Sequence, residues 1–250
     1  MLEIKGLCSG YGKKQVLKSV SLTLEKGRLI SVIGPNGSGK STLLKTLVGI
    51  NRVFSGEIAV DGIPLSSLSS RERARKISYL SQGMTIPDMT VEEVVLQGRF
   101  PHLSYPCVYT EKDKELSIEA MKRVGILPFA QNRLSSLSGG MRQSVFVAMA
   151  LAQNTDYILL DEPLTYLDVS HQAELMRLLK ELAADGRCVV TVTHDLPLAF
   201  NFSDSVAVMS NGSVLLHSTP CDACKNGCID TLFGVQLLNT EYGYILNNMK

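Results

Sequence analysis

Short apolar runs alternate along the chain with longer stretches in which apolar residues recur every three or four positions. That alternation predicts strands interleaved with helices, an α/β arrangement around a largely parallel sheet. Leu29–Ile33 reads as a strand running into a glycine-rich turn, with a helix over Ser41–Ile50 beyond it. Tyr157–Leu160 is continuously apolar and ends in two acids, as a strand buried on both faces of a parallel sheet should. Cys188–Thr193 is another such run. Between about Gln82 and Gln153 strand signals thin out, and helices are predicted over Val91–Gln97, Glu111–Val124 and Gly139–Ala152. This stretch, about residues 83–153, is expected to form a helical subdomain inserted into the sheet domain. Ser205–Met209 and Ser213–His217 read as two strands joined by the turn Asn211-Gly212, followed by a short extension over about 219–250. No low-complexity linker or internal repeat interrupts residues 1–250, so they are expected to form a single domain.

Composition narrows the class. At 45% hydrophobic and 20% charged residues, the chain can bury a sizeable core and does not resemble a disordered sequence. A net charge of +1 offers no strong field for nucleic acid, and no nucleic-acid partner is expected. The longest apolar run, Val145–Ala152, falls well short of the ~18 residues of a membrane span and reads as a buried helix. The start, Met1 to Gly6, lacks the basic segment and apolar stretch of a secretory leader, which sets the expectation of a cytosolic location. Six cysteines lie scattered, and in that setting free thiols are expected. Cys221, Cys224 and Cys228 recur at about one-turn spacing and could share a helix face toward a soft metal. Only His217 offers a fourth ligand, and free thiols on a helix of small residues are the plainer alternative.

The candidate chemistry begins with Gly34-Pro35-Asn36-Gly37-Ser38-Gly39-Lys40-Ser41, which fits the phosphate-loop pattern at every fixed position, with Thr42 following. Glycines let the backbone wrap a triphosphate with N–H groups pointing inward, and the following helix offers its positive N-terminus. Lys40 adds a charge near the β- and γ-phosphates, and the Ser41 hydroxyl suits Mg²⁺. A chance glycine turn is the alternative, and the strand before and helix after argue against it. Asp161, at the end of the second apolar strand, can hold Mg²⁺ through water, and Glu162 beside it can orient an attacking water. Two ordinary surface acids would look the same without the phosphate loop upstream.

Leu137-Ser138-Gly139-Gly140 narrows the family. It resembles the signature motif of ABC ATPases, lying just before a helix and upstream of the acidic pair. Tyr11 resembles the aromatic that stacks on adenine, Gln82 the Q-loop glutamine, Leu167-Asp168 the D-loop, and His194 the switch histidine. Each alone has a bland reading; together, and in order, they resemble an ABC ATPase from about Leu2 to His217. The resemblance implies a P-loop NTPase fold: a mixed sheet flanked by helices, an antiparallel β part near the N-terminus and the inserted helical subdomain. It implies ATP and Mg²⁺ as cofactors. Glu162 would be the general base; Lys40 and His194 would stabilise charge; Ser41, Asp161 and Gln82 would surround Mg²⁺ and water; and Leu137–Gly140 would cover the ATP of a second, identical subunit.

Three positions depart from the family's usual pattern: Met141 after the glycine pair, Leu164 in place of a small hydroxyl residue, and Tyr166 in the D-loop. The segment Thr90–His102, with its run Gly98-Arg99-Phe100-Pro101-His102, resembles ATPases of bacterial importers for iron–siderophores, haem and cobalamin, as does Tyr166. The partners so implied are an integral membrane permease and, indirectly, a substrate-binding protein, which would put the chain peripherally on the cytoplasmic face of the cell membrane. Met84, Ile86, Met89 and Phe100 would line the permease groove beside Gln82, with burial in the subdomain core as the alternative for each. A permease-free ABC ATPase, such as one serving iron–sulfur cluster assembly, is the main rival. A plain P-loop kinase or GTPase would carry no signature motif, and a degenerate binding module would lack Glu162.

Overall fold

The computed structural model describes residues 1–248. In chain order the elements are β1 (Leu2–Tyr11), β2 (Lys14–Leu24), β3 (Arg28–Ile33), α1 (Lys40–Leu47), β4 (Arg52–Val60), β5 (Ile63–Pro64), α2 (Ser70–Lys76) and β6 (Ile77–Leu80). Next come α3 (Val91–Gln97), α4 (Glu111–Arg123), α5 (Gly139–Ala152), β7 (Tyr157–Asp161), α6 (Val169–Ala184) and β8 (Cys188–Val192). The remainder is α7 (Leu196–Phe202), β9 (Ser205–Ser210), β10 (Ser213–Ser218), α8 (Pro220–Asn226), α9 (Cys228–Phe233), β11 (Val235–Thr240) and β12 (Gly243–Asn248).

A six-stranded sheet, ordered β10-β9-β3-β8-β7-β6, forms the centre. Its strands pair in parallel except β9 with β10. β7 and β8 are buried at every residue, which is why their sequences are unbroken apolar runs rather than alternating ones. A four-stranded antiparallel sheet, β2-β1-β4-β5, supplies the N-terminal β part. The space between the two sheets is filled by one apolar cluster, in which Leu43, Leu44 and Leu47 of α1 meet strands from both. A second cluster lies on the other face of the central sheet. It joins α3, α4 and α5, all inserted between β6 and β7, to α6 and to the sheet.

The segment Gly98–His102 forms a joint, although Phe100 within it stays exposed. Arg99 is buried; its Nε donates to Asp113 Oδ1 at 3.0 Å, and its Nη1 to the carbonyls of Ala152 (2.9 Å) and Gln153 (3.0 Å). Arg71 and Arg75 of α2 each donate to the Pro101 carbonyl. The run therefore ties α3, α4 and the end of α5 to the helix that precedes β6. Of the four residues expected in a permease groove, Met84 and Met89 pack partly buried against the helical cluster, whereas Ile86 and Phe100 stay exposed.

The cysteine reading needs correction. Gly227, at φ 72°, stops α8, and Cys228 starts α9, so the three thiols do not share one helix face. Cys224 Sγ lies 3.2 Å from the Leu237 carbonyl, and among the described residues no group of three metal-binding side chains comes together. Among the described residues no helix is long and apolar enough to cross a membrane.

Candidate active site

The phosphate loop joins the C-terminal end of β3 to the N-terminus of α1. Gly39, at φ 105°, takes the N-cap position, where no side chain accepts a bond from the first-turn N–H groups. Helices α2 to α8 all carry a Ser, Thr or Asp whose side chain accepts such a bond. The uncapped start of α1 leaves its donors and its dipole for an anion. The loop tolerates no side chain at Gly34, where a Cβ would collide with the Met209 carbonyl.

Lys40 is buried, and its ammonium donates to the carbonyls of Gly34 (2.8 Å) and Pro35 (3.0 Å), within its own loop. Burial lowers its pKa, against the pull of Glu162 and Asp161. Ser41 Oγ donates to Asp161 Oδ1 at 3.0 Å, and the hydroxyl of Tyr79 donates to Asp161 Oδ2 at 3.3 Å. Burial raises the pKa of Asp161, and the neighbouring Glu162 charge adds to the rise against those two hydrogen bonds. Ser41 and Asp161 thus present a hydroxyl and a carboxylate side by side, an all-oxygen donor set that fits a hard cation such as Mg²⁺.

Glu162 leaves β7 with φ 55°, a conformation costly for a residue with a Cβ. The turn points its carboxylate between two other elements: Gln82 Nε2 donates to Oε2 at 2.7 Å, and His194 Nε2 lies 2.7 Å from Oε1. Gln82 follows β6 and His194 follows β8, so the three parallel strands β6, β7 and β8 deliver all three groups at their C-terminal ends. Ligands of open α/β sheets bind at that edge. Gln82, expected beside the metal, here holds the candidate base. Thr42 Oγ1 donates to the Tyr11 hydroxyl at 3.4 Å, which places the aromatic beside the helix. The cleft bounded by Tyr11, the loop, Gln82 and Glu162 has a volume of 610 Å³.

Leu137–Gly140 and Asp168 do not reach that cleft. Ser138, Gly139, Gly140 and Asp168 line a separate one of 720 Å³, at the start of α5. Ser138 Oγ accepts from the Met141 N–H at 3.3 Å and so caps α5. Asp168 caps α6, accepting from the His171 N–H at 2.9 Å, with His171 Nδ1 also at 2.9 Å. Two of the three departures have a place: Leu164 is buried in the helical cluster, and Met141 packs partly buried against it. Tyr166 is 79% exposed with φ 69° beside Gly139 and Gly140.

Several residues of the nucleotide cleft went unmarked in the sequence: Lys14, Gln15, Val16, Lys18 and Asn211 all line it. The first four lie at the start of β2, shortly after Tyr11, a signal visible only once β2 is known to fold back past the loop. Tyr79 went unmarked too, since a strand tyrosine carries no motif.

A sequence model of the family described as ABC transporter matches residues 17–165. The petrobactin import ATP-binding protein of Bacillus anthracis is 36% identical over 94% of this chain and 87% of its own length. The ferric enterobactin transport ATP-binding protein of Escherichia coli K12 is 37% identical over 93% of this chain and 86% of its own. An ATP-binding cassette solved as a dimer in a post-hydrolysis state with ADP and Pi superposes with a TM-score of 0.78 at 31% identity, covering 88% of this chain and 99% of that one. An uncapped phosphate loop, a carboxylate clasped at the neighbouring strand end and likeness over nearly the whole chain agree with one another: the chain belongs to the ABC transporter family and is one of its ATP-binding, ATP-hydrolysing subunits.

Proposed function

We propose that this chain powers the import of a ferric siderophore through a separate membrane permease, working at the cytoplasmic face of the membrane as a pair of identical ATPase subunits. A substrate-binding protein would deliver the cargo from the other side. The relatives' names, petrobactin import and ferric enterobactin transport, support this substrate class over haem, cobalamin and the permease-free alternative. The single observation that carries the enzymatic part is the clasp on Glu162 beside the phosphate loop.

The proposed roles follow from position. Tyr11 stacks on adenine, and the N–H groups of Gly37 to Thr42 receive the phosphates. Lys40 turns its ammonium donors toward β- and γ-phosphate oxygens, giving up at least one loop carbonyl. Mg²⁺, held by Ser41 and Asp161, would neutralise charge between those phosphates when bound. Glu162 takes the proton of the attacking water, with Gln82 and His194 fixing the direction of its carboxylate. His194 then faces the γ-phosphate, where a ring N–H donor offsets developing charge. Ser138 and the start of α5 cover the ATP of the other subunit, and Asp168 stands at the same junction. Residues 83–153 serve as the helical subdomain that meets the permease, with Ile86 and Phe100 as its exposed apolar contacts.

Glu162→Gln keeps the shape of the clasp but removes the base. Whole-cell uptake of radiolabelled ferric siderophores should fall to background in that variant, with ATP still bound by the purified protein. Unchanged uptake of every ferric siderophore tried, together with loss of haem or cobalamin uptake, would refute the substrate class. Unchanged ATP hydrolysis would refute the role of Glu162.

A further inference from the structure

The phosphate loop is tied down from outside by an element that none of its motifs includes. The turn of the β9–β10 hairpin, Asn211-Gly212, lies against it. Gly212 N–H donates to the Ser38 carbonyl at 3.0 Å, and the Gly212 carbonyl accepts from Lys18 N–H at 2.8 Å. Ser213 Oγ donates to the Lys18 carbonyl at 3.1 Å. The turn thus bridges β2 and the loop. Contact is close enough to exclude a side chain from the turn: a Cβ on Gly212 would collide with the Val16 carbonyl.

These ties matter more once ATP arrives. Within the loop, the bonds that hold its carbonyls are Ser38 N–H to Pro35 O at 3.2 Å and the two from Lys40. The ammonium has one donor to spare beyond these two, so reaching both β- and γ-phosphate oxygens takes at least one bond from the loop. The loop then leans more on its Ser38–Pro35 bond and on the bond from Gly212. We infer that the Asn211-Gly212 turn is the template for the phosphate loop, and that Gly212 is a positioning residue for the triphosphate. This rests on the nucleotide reading of the cleft, whose wall Asn211 and Gly212 also form.

The protein carries its own control. Asp61-Gly62, between β4 and β5, is a turn of the same conformation: φ is 51° and 78° there, against 49° and 86° at Asn211-Gly212. Around Gly62, however, nothing lies within 4 Å of a Cβ. Gly62→Ala therefore imposes left-handed strain alone, whereas Gly212→Ala imposes the same strain and pushes the turn off β2 and the loop.

The experiment is equilibrium binding of ATP and of AMP, with Mg²⁺, to the full wild-type chain and both variants. AMP uses the base platform and one phosphate; ATP uses the whole loop. Gly212→Ala should weaken ATP about tenfold or more and AMP by no more than about twofold, while Gly62→Ala leaves their ratio unchanged. An unchanged ATP-to-AMP ratio in Gly212→Ala, or an equal loss for both nucleotides, overturns the inference. If Gly212→Ala does not fold, Ser213→Ala removes one tie without touching the backbone. It should cost ATP about threefold relative to AMP, and no difference overturns the inference in the same way. A wild-type chain that binds ATP no better than AMP would instead overturn the nucleotide reading itself.

Discussion

At the scale of single residues, the molecule places its strain and its buried charge with evident purpose. Glu162 accepts a left-handed backbone because that turn brings its carboxylate between Gln82 and His194. Sequence reasoning named all three of these residues. What it did not show was the bond from Gln82 to the Glu162 carboxylate, since an amide's partner depends on which loop it folds toward. Arg99 is the opposite case, read only as part of a run resembling an importer subgroup and found buried against Asp113, with side chains 7% and 9% exposed. Burial alone would raise the pKa of Asp113; hydrogen bonds from Thr110 and Arg99 hold it below the usual carboxylate range. Removing one member of such a pair leaves an uncompensated charge and, here, two orphaned carbonyls at the end of α5. Arg99→Met should therefore cost about 3–5 kcal/mol in urea unfolding, well beyond a surface substitution. A loss under about 1 kcal/mol would mean that the pair is solvated and that the joint it makes is dispensable.

At the scale of elements, legibility followed locality. The bounds of α3 and α5 fall where the periodicity puts them, and β7 and β8 within a residue, because burial on both faces or on one stripe is written in consecutive residues. An antiparallel β part near the N-terminus was expected only from the family resemblance and without bounds; it is four-stranded, and β4 exposes most of its length and shows no alternation. The long helix α6 and the hairpin β11–β12 carry no motif and went unmarked, although α6 buries Leu175, Met176, Leu179 and Leu182 and the hairpin packs Leu237 into an apolar cluster with α7 and β9. Long-range ties between elements left no local trace at all. Asp61, in the β4–β5 turn, accepts from the Tyr157 hydroxyl at 2.6 Å and from Lys26 at 3.3 Å, joining the small sheet to β7. Burial works against its ionisation, but the hydrogen bonds from Tyr157, the Met1 ammonium and Lys26 outweigh it and lower the pKa from 3.8 to about 2. The folded-state value lies below the unfolded one, so this contribution to stability is complete above the ordinary value of 3.8 and is lost as pH falls toward 2. Unfolding midpoints of wild type should drop across that window, and Asp61→Asn should be less stable at neutral pH with a shallower drop. Parallel acid profiles for the two proteins would show that the turn does not couple the sheets.

At the scale of the whole molecule, one chain holds two clefts that do not meet, the two halves of the shared site proposed above. The phosphate loop, Gln82 and Glu162 surround one cleft; Ser138, Gly139, Gly140 and Asp168 surround another, and no residue lines both. A signature that caps its own helix while turned away from its own phosphate loop makes functional sense if a second copy completes each site. In a closed two-fold pair, the loop of each subunit faces the signature of the other. That arrangement has a consequence no single-chain model shares. Lys40→Ala destroys the loop half and Ser138→Arg the signature half, so neither variant alone should retain ATP on a Glu162→Gln background in which hydrolysis is blocked. Mixing the two is different: in each hybrid pair one site combines both defects and the other combines none. If subunits exchange freely, half of the pairs are hybrids and half of their sites are intact, so ATP retention should recover to about a quarter of the Glu162→Gln level. Retention is measured by rapid filtration of the mixture against each variant alone. Recovery would assign the two clefts to opposite halves of a shared site. If the mixture retained no more than its components, although subunit exchange was verified by tagged pull-down, each chain would have to complete its own site, and the head-to-tail pair would be excluded.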